Sequence, residues 1–212
     1  LITPARVIAK DTLNGHAIIQ GQTNGRGGSA TTTVNKYRKS GWYQQATLTY
    51  KKLGDFEAPD YVLSNTGSET TAVKLGVGFK TFEYGASAKY SHYQSEIGIL
   101  RASHIGNASD LVRSINSGQP LIINDFTYNI EAPKQQVAHH GLQFNAYRRF
   151  SGLGKLNIDY SFQFNNRQEY DIRRGENAGR ASLDMDLQTQ NISVYGMADA
   201  FENTIYEAGI DY

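Results

Sequence analysis

The strongest constraint on the fold is a run of ten residues in which apolar and polar side chains alternate without interruption. Successive side chains of a β-strand point to opposite faces, whereas a helix would scatter the same apolar residues around its circumference. The run is therefore predicted to be a strand with two chemically different faces. The apolar face consists of Leu156, Ile158, Tyr160, Phe162 and Phe164, and the polar face of Asn157, Asp159, Ser161, Gln163 and Asn165.

The same alternation recurs along the chain and predicts an all-β protein. We expect nine strands, at residues 14–23, 28–39, 41–52, 69–80, 83–95, 136–150, 154–168, 182–197 and 203–212. Most are ten or more residues long, beyond the usual five or six of a globular strand. A tilted strand needs roughly 10 residues to cross an apolar band about 25 Å tall. The lengths therefore favour a membrane barrel over a soluble sandwich.

The connections between these strands alternate in length. Short turns are expected near residues 39–41, 81–83, 151–154 and 199–203, and longer segments at residues 53–68, 95–135 and 169–181. An antiparallel meander with tight turns at one rim and long loops at the other is the layout of outer-membrane barrels. The turn at residues 24–28 is an exception, since it is short on the long-loop side.

One long loop carries a helical signal. Residues 107–118 offer capping residues at the start, Leu111 and Ile115 four residues apart, and a glycine as a stop. We predict a short helix there, with its apolar side against the barrel rim or another loop.

Composition excludes several classes of function. The 212 residues contain no cysteine, so disulfides, thiolate metal sites and cysteine nucleophiles are ruled out. The formal net charge of +1 offers no long-range field for nucleic acid. The five histidines lack metal-ligand spacing, and no nucleophile motif is present. We therefore predict no enzyme activity, no catalytic residues, no metal site and no cofactor.

Some residues are expected to have structural roles within a barrel. Gly76, Gly78 and Gly85 fall on the polar side of their strands, where small residues would leave room for a plug. Asp184 and Asp186 share one face of a strand and are assigned to a polar lumen. Aromatic residues near the short turns are expected to form a girdle at the periplasmic membrane interface. They are Trp42, Tyr43, Phe82, Tyr84, Phe150 and Phe201.

Four segments resemble the TonB-dependent outer-membrane receptors, particularly those of Bacteroidetes-type bacteria. They are Asp55–Gly67 (DFEAPDYVLSNTG), Glu96–Asn107 (EIGILRASHIGN), Phe126–His140 with its EAPKQQ core, and Gln163–Gly175 (QFNNRQEYDIRRG). Their order also matches that family, and the resemblance covers nearly the whole chain. Leu1–Pro4 is similar to the junction where the plug of such receptors ends.

The resemblance implies a partial wall of a 22-stranded barrel. Residues 1–13 would be the plug-to-barrel junction and residues 14–212 the partial transmembrane barrel, with the long loops extracellular. Such a receptor imports a scarce ligand, such as a ferric siderophore, a cobalamin-like cofactor or a glycan. The TonB complex would act on the plug, and the barrel would contact outer-membrane lipid. The plug, the TonB box and about thirteen strands would lie outside this chain.

Three residues are candidates for contacting the transported ligand. His104 lies in the longest loop, and Arg173 and Arg174 end a charged run beyond a strand. The two arginines would attract an anionic ligand by their local positive potential.

Two alternatives to a receptor fragment stay open at this point. A complete small outer-membrane barrel of eight or ten strands would act as a passive pore or an adhesin. A soluble carbohydrate-binding β-sandwich would require the long strands to form two packed layers.

Overall fold

A single antiparallel sheet of nine strands dominates the structure. The computed structural model describes residues 10–103, 108–173, 175–177, 179–201 and 204–212. The long strands are β1 (Thr12–Gln22), β2 (Gly27–Tyr37), β3 (Trp42–Leu53), β6 (Ser68–Lys80), β7 (Tyr84–Gly98), β8 (Lys134–Phe150), β9 (Gly154–Tyr170), β10 (Leu183–Phe201) and β11 (Thr204–Asp211). A two-stranded ribbon, β4 (Phe56–Glu57) with β5 (Val62–Leu63), lies between β3 and β6.

The sheet is an up-and-down meander, because each long strand pairs with the next long strand in the chain. The predicted fold class, an open antiparallel meander of nine long strands, is confirmed. β1 and β11 are the two outer strands, and the sheet does not close between them. Strands β8, β9 and β10 reach 17, 17 and 19 residues.

The chain reverses at two opposite rims of the sheet. Residues 38–41, 81–83 and 151–153 form the short-turn rim. The long-loop rim consists of residues 23–26 and 54–67 and the described residues of 99–133 and 171–182. Glycines with positive φ occur in the tight turns, including Gly41 (96°) and Gly154 (102°), because residues with a side chain rarely adopt that conformation.

The predicted helix is present as α1 (Ala108–Asn116), within the long loop that joins β7 to β8. Short 3₁₀ turns occur at Arg101–Ser103 and Gly175–Asn177. None of the helices in the described residues is long and apolar enough to cross a membrane.

No second layer packs on the sheet within the described residues, which therefore lack an ordinary hydrophobic core. Among these residues the buried apolar side chains are Leu53, which is 2% exposed, and Pro133. The soluble sandwich required two packed sheets, and the described residues form one large sheet and a short ribbon.

The predicted boundary between a junction and a barrel stays a prediction. Residues 1–9 lie outside the described residues. β1 begins at Thr12, so its first two residues fall before the predicted boundary at residue 14.

Candidate functional site: the two faces and the long-loop rim

The apolar face of the sheet is more exposed than the polar face, which is the reverse of the pattern in a soluble protein. From Ala30 to Lys36 of β2, each even-numbered residue is exposed and each odd-numbered residue between them is half-buried or buried. Leu48, opposite Thr32 in register, is 55% exposed, whereas Thr33 is 7% exposed. The apolar positions therefore face outward and the polar positions are shielded.

The difference in exposure indicates that the sheet is curved. Where no second layer covers a sheet, side chains on the inside of a bend converge and shield one another, while those on the outside spread apart. The polar face is thus the concave face and the apolar face the convex face. Interior and exterior residues alternate in the same way along every strand of a barrel.

Exposed apolar side chains form a continuous band across the convex face. Cross-strand pairing aligns the predicted apolar row of β9 with apolar residues of β8, including Leu142 opposite Phe162 and Phe144 opposite Tyr160. The exposed apolar members of the band include Leu13, Ile19, Val34, Leu48, Leu75, Val77, Leu142, Phe144, Leu156, Ile158, Ile192, Val194 and Ile210.

The band runs obliquely to the strands. Register places Leu13, the first apolar residue of β1, level with Tyr160 of β9, whereas the band on β9 begins four residues earlier, at Leu156. With about 3.3 Å per residue and about 4.8 Å per strand, this shift over six strand spacings corresponds to an inclination of roughly 25°. Strands in a closed barrel are likewise tilted to its axis.

Aromatic residues border this band at the short-turn rim, as predicted for part of the set. Trp42 packs against Phe79 with ring centroids 5.3 Å apart, and Phe79 lies 5.7 Å from Tyr84. These three residues share the convex face. The prediction was wrong for Tyr43, which lies on the concave face, and the side chain of Phe201 lies outside the described residues.

Hydroxyl pairs and tyrosines fill the concave face. The Oγ1 atoms of Thr31 and Thr49 are 3.0 Å apart, and those of Thr33 and Thr47 are 3.1 Å apart. These bonds satisfy polar groups that the curvature removes from water.

The role predicted for two glycines requires correction. A Cβ atom at Gly78 would lie 2.5 Å from the ring of Tyr43, and one at Gly85 would lie 2.6 Å from the ring of Tyr147. Tyrosines of the neighbouring strands therefore occupy the space that had been assigned to a plug. An aromatic ring folded across a glycine on the next strand restores packing that the glycine lacks. A Cβ atom at Gly76 would lie 3.7 Å and 3.8 Å from the nearest side-chain atoms, which is ordinary contact.

Two loops of the long-loop rim, at residues 54–67 and 99–133, are joined by a buried polar network. Asn65 is 8% exposed, and its Nδ2 donates to the carbonyl oxygens of Ile99, Glu131 and Pro133 at 2.8–3.0 Å. Its Oδ1 accepts a bond from the Glu131 amide at 2.8 Å. Asn65 adopts φ 65°, a conformation that asparagine tolerates better than most residues. One side chain thus connects its own loop to both ends of the loop at residues 99–133.

Asp55 has a similar role at the start of the loop at residues 54–67. It is 1% exposed, and its carboxylate accepts bonds from the Thr66 amide at 2.9 Å and the Thr127 amide at 3.2 Å. Ser64, also 1% exposed, accepts a bond from the Asn124 amide at 2.6 Å. Two of the four segments on which the resemblance rests, residues 55–67 and 126–140, therefore pack together at this rim.

The turn at residues 23–26 joins the same assembly. Arg26 forms an ion pair with Glu57, and its guanidinium carbon lies 4.2 Å from the ring centroid of Phe126. The hydroxyl of Tyr128 donates to the Arg26 carbonyl at 2.5 Å. The short turn on the long-loop side therefore serves as a base against which the longer loops pack.

A histidine pair on the convex face was missed by the sequence analysis. His92 and His140 are 48 residues apart in the chain yet directly opposite in register, with ring centroids 4.5 Å apart. Nδ1 of His140 lies 2.8 Å from the Tyr90 hydroxyl. No spacing within the sequence could reveal this pair, because it depends on the pairing of β7 with β8.

Polar residues lie above the apolar band on the convex face, towards the long-loop rim. Lys52 Nζ lies 2.9 Å from Glu69, and Lys134 Nζ lies 2.6 Å from Glu96. Asp184 and Asp186 share this face with Phe164 and accept bonds from Asn166 at 2.9 Å and 2.7 Å. The assignment of these two aspartates to the lumen was therefore wrong, because the polarity of β10 reverses above the band.

Glu69 gives this polar zone a pH dependence. Hydrogen bonds from Lys52 and Tyr50 hold the pKa of Glu69, outside the apolar band, below its ordinary value. The stabilisation is therefore present above the ordinary glutamate pKa and is lost as the pH falls through the lowered value. We expect Glu69→Gln to reduce the loss of thermal stability between about pH 5 and pH 3. Thermal unfolding of the unaltered protein and of Glu69→Gln as a function of pH measures this loss, with Glu83→Gln as control. The prediction is contradicted if Glu69→Gln loses as much stability in acid as the unaltered protein.

The apolar side of α1 does not pack as predicted. Leu111 is 45% exposed, Val112 57% and Ile115 72%, and no residue of the helix is buried. The helix forms because its local sequence favours it, and Asp110 and Arg113 form an i,i+3 ion pair at 3.3 Å. The expected contact with the rim or another loop was wrong.

The predicted ligand contacts are only partly within the described structure. Arg173 lies exposed in the connection from β9 to β10, at the long-loop rim. His104 and Arg174 lie outside the described residues, so their role in ligand binding stays a prediction. In the described part of the chain no three His, Asp or Glu side chains are grouped to hold a metal ion.

Comparison of this chain with models of protein families, with curated proteins and with solved structures finds no match.

Proposed function

We propose that this chain is part of the wall of an outer-membrane β-barrel, in a receptor that imports a scarce ligand with energy from the TonB complex. The observation that supports the barrel wall best is the inverted burial of the sheet. Its apolar residues are exposed on the convex face, and its polar residues are shielded on the concave face.

Lipid is the solvent that suits such a surface. Each square ångström of apolar surface removed from water contributes about 25 cal/mol of favourable free energy. Exposing to water a band that crosses nine strands would therefore carry a large free-energy cost. The backbone groups within the sheet are paired along the strand ladders, as a bilayer requires. Aromatic residues at one border and charged residues beyond the other fit the two interfaces of a membrane.

The receptor class rests on the resemblance to TonB-dependent receptors. The family motifs at residues 55–67 and 126–140 support it further, because they fold into one assembly at the long-loop rim. In the proposal this rim is extracellular and receives the ligand. A ferric siderophore, a cobalamin-like cofactor or a glycan would contact His104, Arg173 and Arg174.

Cell fractionation tests the location and the size of the native protein. Source cells are fractionated and blotted with an antibody to residues 95–135. We expect an outer-membrane band several times larger than 23.5 kDa, whose mobility shifts on boiling because folded barrels resist detergent. A band near 23.5 kDa in that membrane would indicate instead a small pore or adhesin. A soluble band would overturn the membrane proposal.

A matched pair of arginine substitutions tests which face contacts lipid. Leu142 lies on the convex face and is 42% exposed, and its neighbour Gln143 lies on the concave face. In a bilayer, Leu142→Arg is expected to cost about 2–4 kcal/mol, because a charge near the midplane loses its hydration. Gln143→Arg should change stability by less than about 1 kcal/mol. Urea unfolding in lipid vesicles measures both variants.

The two substitutions would have similar small effects if the convex face contacted water. Leu142 would then be a half-exposed surface residue, and an arginine there would cost little. Equal stability of the two variants would therefore contradict the proposal.

A further inference from the structure

Three cations lie on the concave face near the short-turn rim. Arg149 of β8 is directly opposite Lys155 of β9, and Lys80 ends β6 on the same face. Like charges directly opposite each other destabilise a strand pair. Within the described residues, no ion pair joins any of the three to a carboxylate.

Aromatic rings hold two of these cations in place without neutralising them. Lys155 Nζ lies 4.5 Å from the ring centroid of Tyr147, and the guanidinium carbon of Arg149 lies 4.8 Å from that of Phe82. Such contacts orient a cation but leave its charge. Asp159, on the same face of β9, accepts a bond from Asn145 at 2.5 Å. The local excess of positive charge therefore remains.

A buried hydrogen-bond donor without a partner lies beside the cations. Asn157 is 5% exposed and is two residues from Lys155 on the same face, between Tyr147 and Tyr195 in register. Its Nδ2 is buried and forms no hydrogen bond to any of the described residues. A buried donor without an acceptor is costly to leave unpaired. An acceptor that is also negatively charged would relieve both the unpaired donor and the repulsion between the cations.

We infer that Lys80, Arg149, Lys155 and Asn157 form an oxyanion-binding site on the concave face, which takes a carboxylate or phosphate group. Charge-assisted hydrogen bonds from Arg and Lys to such groups are among the strongest in proteins. The group has two sources: a side-chain carboxylate of a polypeptide segment that covers the concave face, or a free small anion. The site depends on the curvature of the sheet and stands independently of the transport role.

Lysine reactivity in the full native polypeptide tests this site. The protein is acylated with an amine-reactive ester at constant ionic strength, with chloride or with inorganic phosphate, and each lysine is quantified by mass spectrometry. Lys89 is the internal control, because it is also half-buried on the concave face. Carbodiimide coupling in a parallel sample detects carboxylates that touch Lys80 or Lys155.

Two results would support the inference, and they distinguish the sources. For a free anion, phosphate lowers the reactivity of Lys155 about threefold or more and leaves Lys89 unchanged. For a polypeptide carboxylate, Lys155 reacts slowly even in chloride, phosphate has no effect, and carbodiimide links Lys80 or Lys155 to an acidic residue. Arg149→Gln and, separately, Asn157→Ala should each weaken the protection or the coupling.

Other results would overturn the inference. One such result is that Lys155 reacts like Lys89 both in chloride and in phosphate and gives no coupled product. Slow reaction of Lys155 without coupling, and with no response to phosphate or to either substitution, would show that packing alone shields it. Because the two single substitutions alter different elements of the site, misfolding of one variant leaves the other to decide.

Discussion

Replacing Asn65 by aspartate is expected to release the loops of the long-loop rim from one another. The Nδ2 of Asn65 donates to three backbone carbonyls, and a carboxylate at this place would face the same oxygens with negative charge. Carbonyls that lose their donor in a buried site cost about 1–3 kcal/mol each, so a local loss of about 3–4 kcal/mol is expected.

Hydrogen exchange of residues 126–134 measures this effect. A loss of that size should accelerate exchange in this segment by about two to three orders of magnitude, if exchange follows local opening. Asn129→Asp is the control, because it introduces the same change at an exposed asparagine within the measured segment. The role assigned to Asn65 is contradicted if the two variants exchange alike. Asn65→Gly, which keeps the positive φ without adding a charge, should fall between Asn65→Asp and the unaltered protein.

Replacing Gly154 by alanine is expected to disrupt the start of β9 and its pairing with β10. Gly154 has φ 102°, and a Cβ atom would lie 2.0 Å from the carbonyl oxygen of Met197 in the neighbouring strand. The left-handed conformation alone costs roughly 1 kcal/mol, and the clash with backbone adds to it because a strand within a sheet cannot move away freely. The total is expected to be about 3 kcal/mol or more.

Gly152 in the same turn provides the control. Its φ is 74°, but a Cβ atom there would meet no atom of the described residues within 4 Å. Gly152→Ala should therefore cost only the conformational term of roughly 1 kcal/mol. Urea unfolding and the yield of the heat-modifiable folded form measure both variants. Equal losses would show that the approach of Met197 is not what requires glycine at position 154.

Alternation predicted the nine strands because it is a property of each segment alone. The ten-residue run from Leu156 to Asn165 shows its two faces without reference to any neighbour. α1 was predictable for the same reason, since its capping residues and its i,i+4 spacing are local. Whether another segment would cover the apolar side of the helix was not predictable, because such packing depends on distant loops.

Pairing between strands decided what the sequence left open. The pair of His92 with His140, the tyrosines folded over Gly78 and Gly85, and the row of Arg149 with Lys155 all depend on which residues become neighbours across the sheet. The ribbon of β4 and β5 was missed because two-residue strands carry no detectable period.

The amino-acid sequence by itself determined the strands, their two chemical faces and the positions of the turns, because each follows from local periodicity and from residues that favour bends. Only the tertiary structure decided that the polar face is concave, which side chains meet on it, and that Asp55 and Asn65 join two loops. These features depend on register and curvature, which arise when segments far apart in the chain pair with one another.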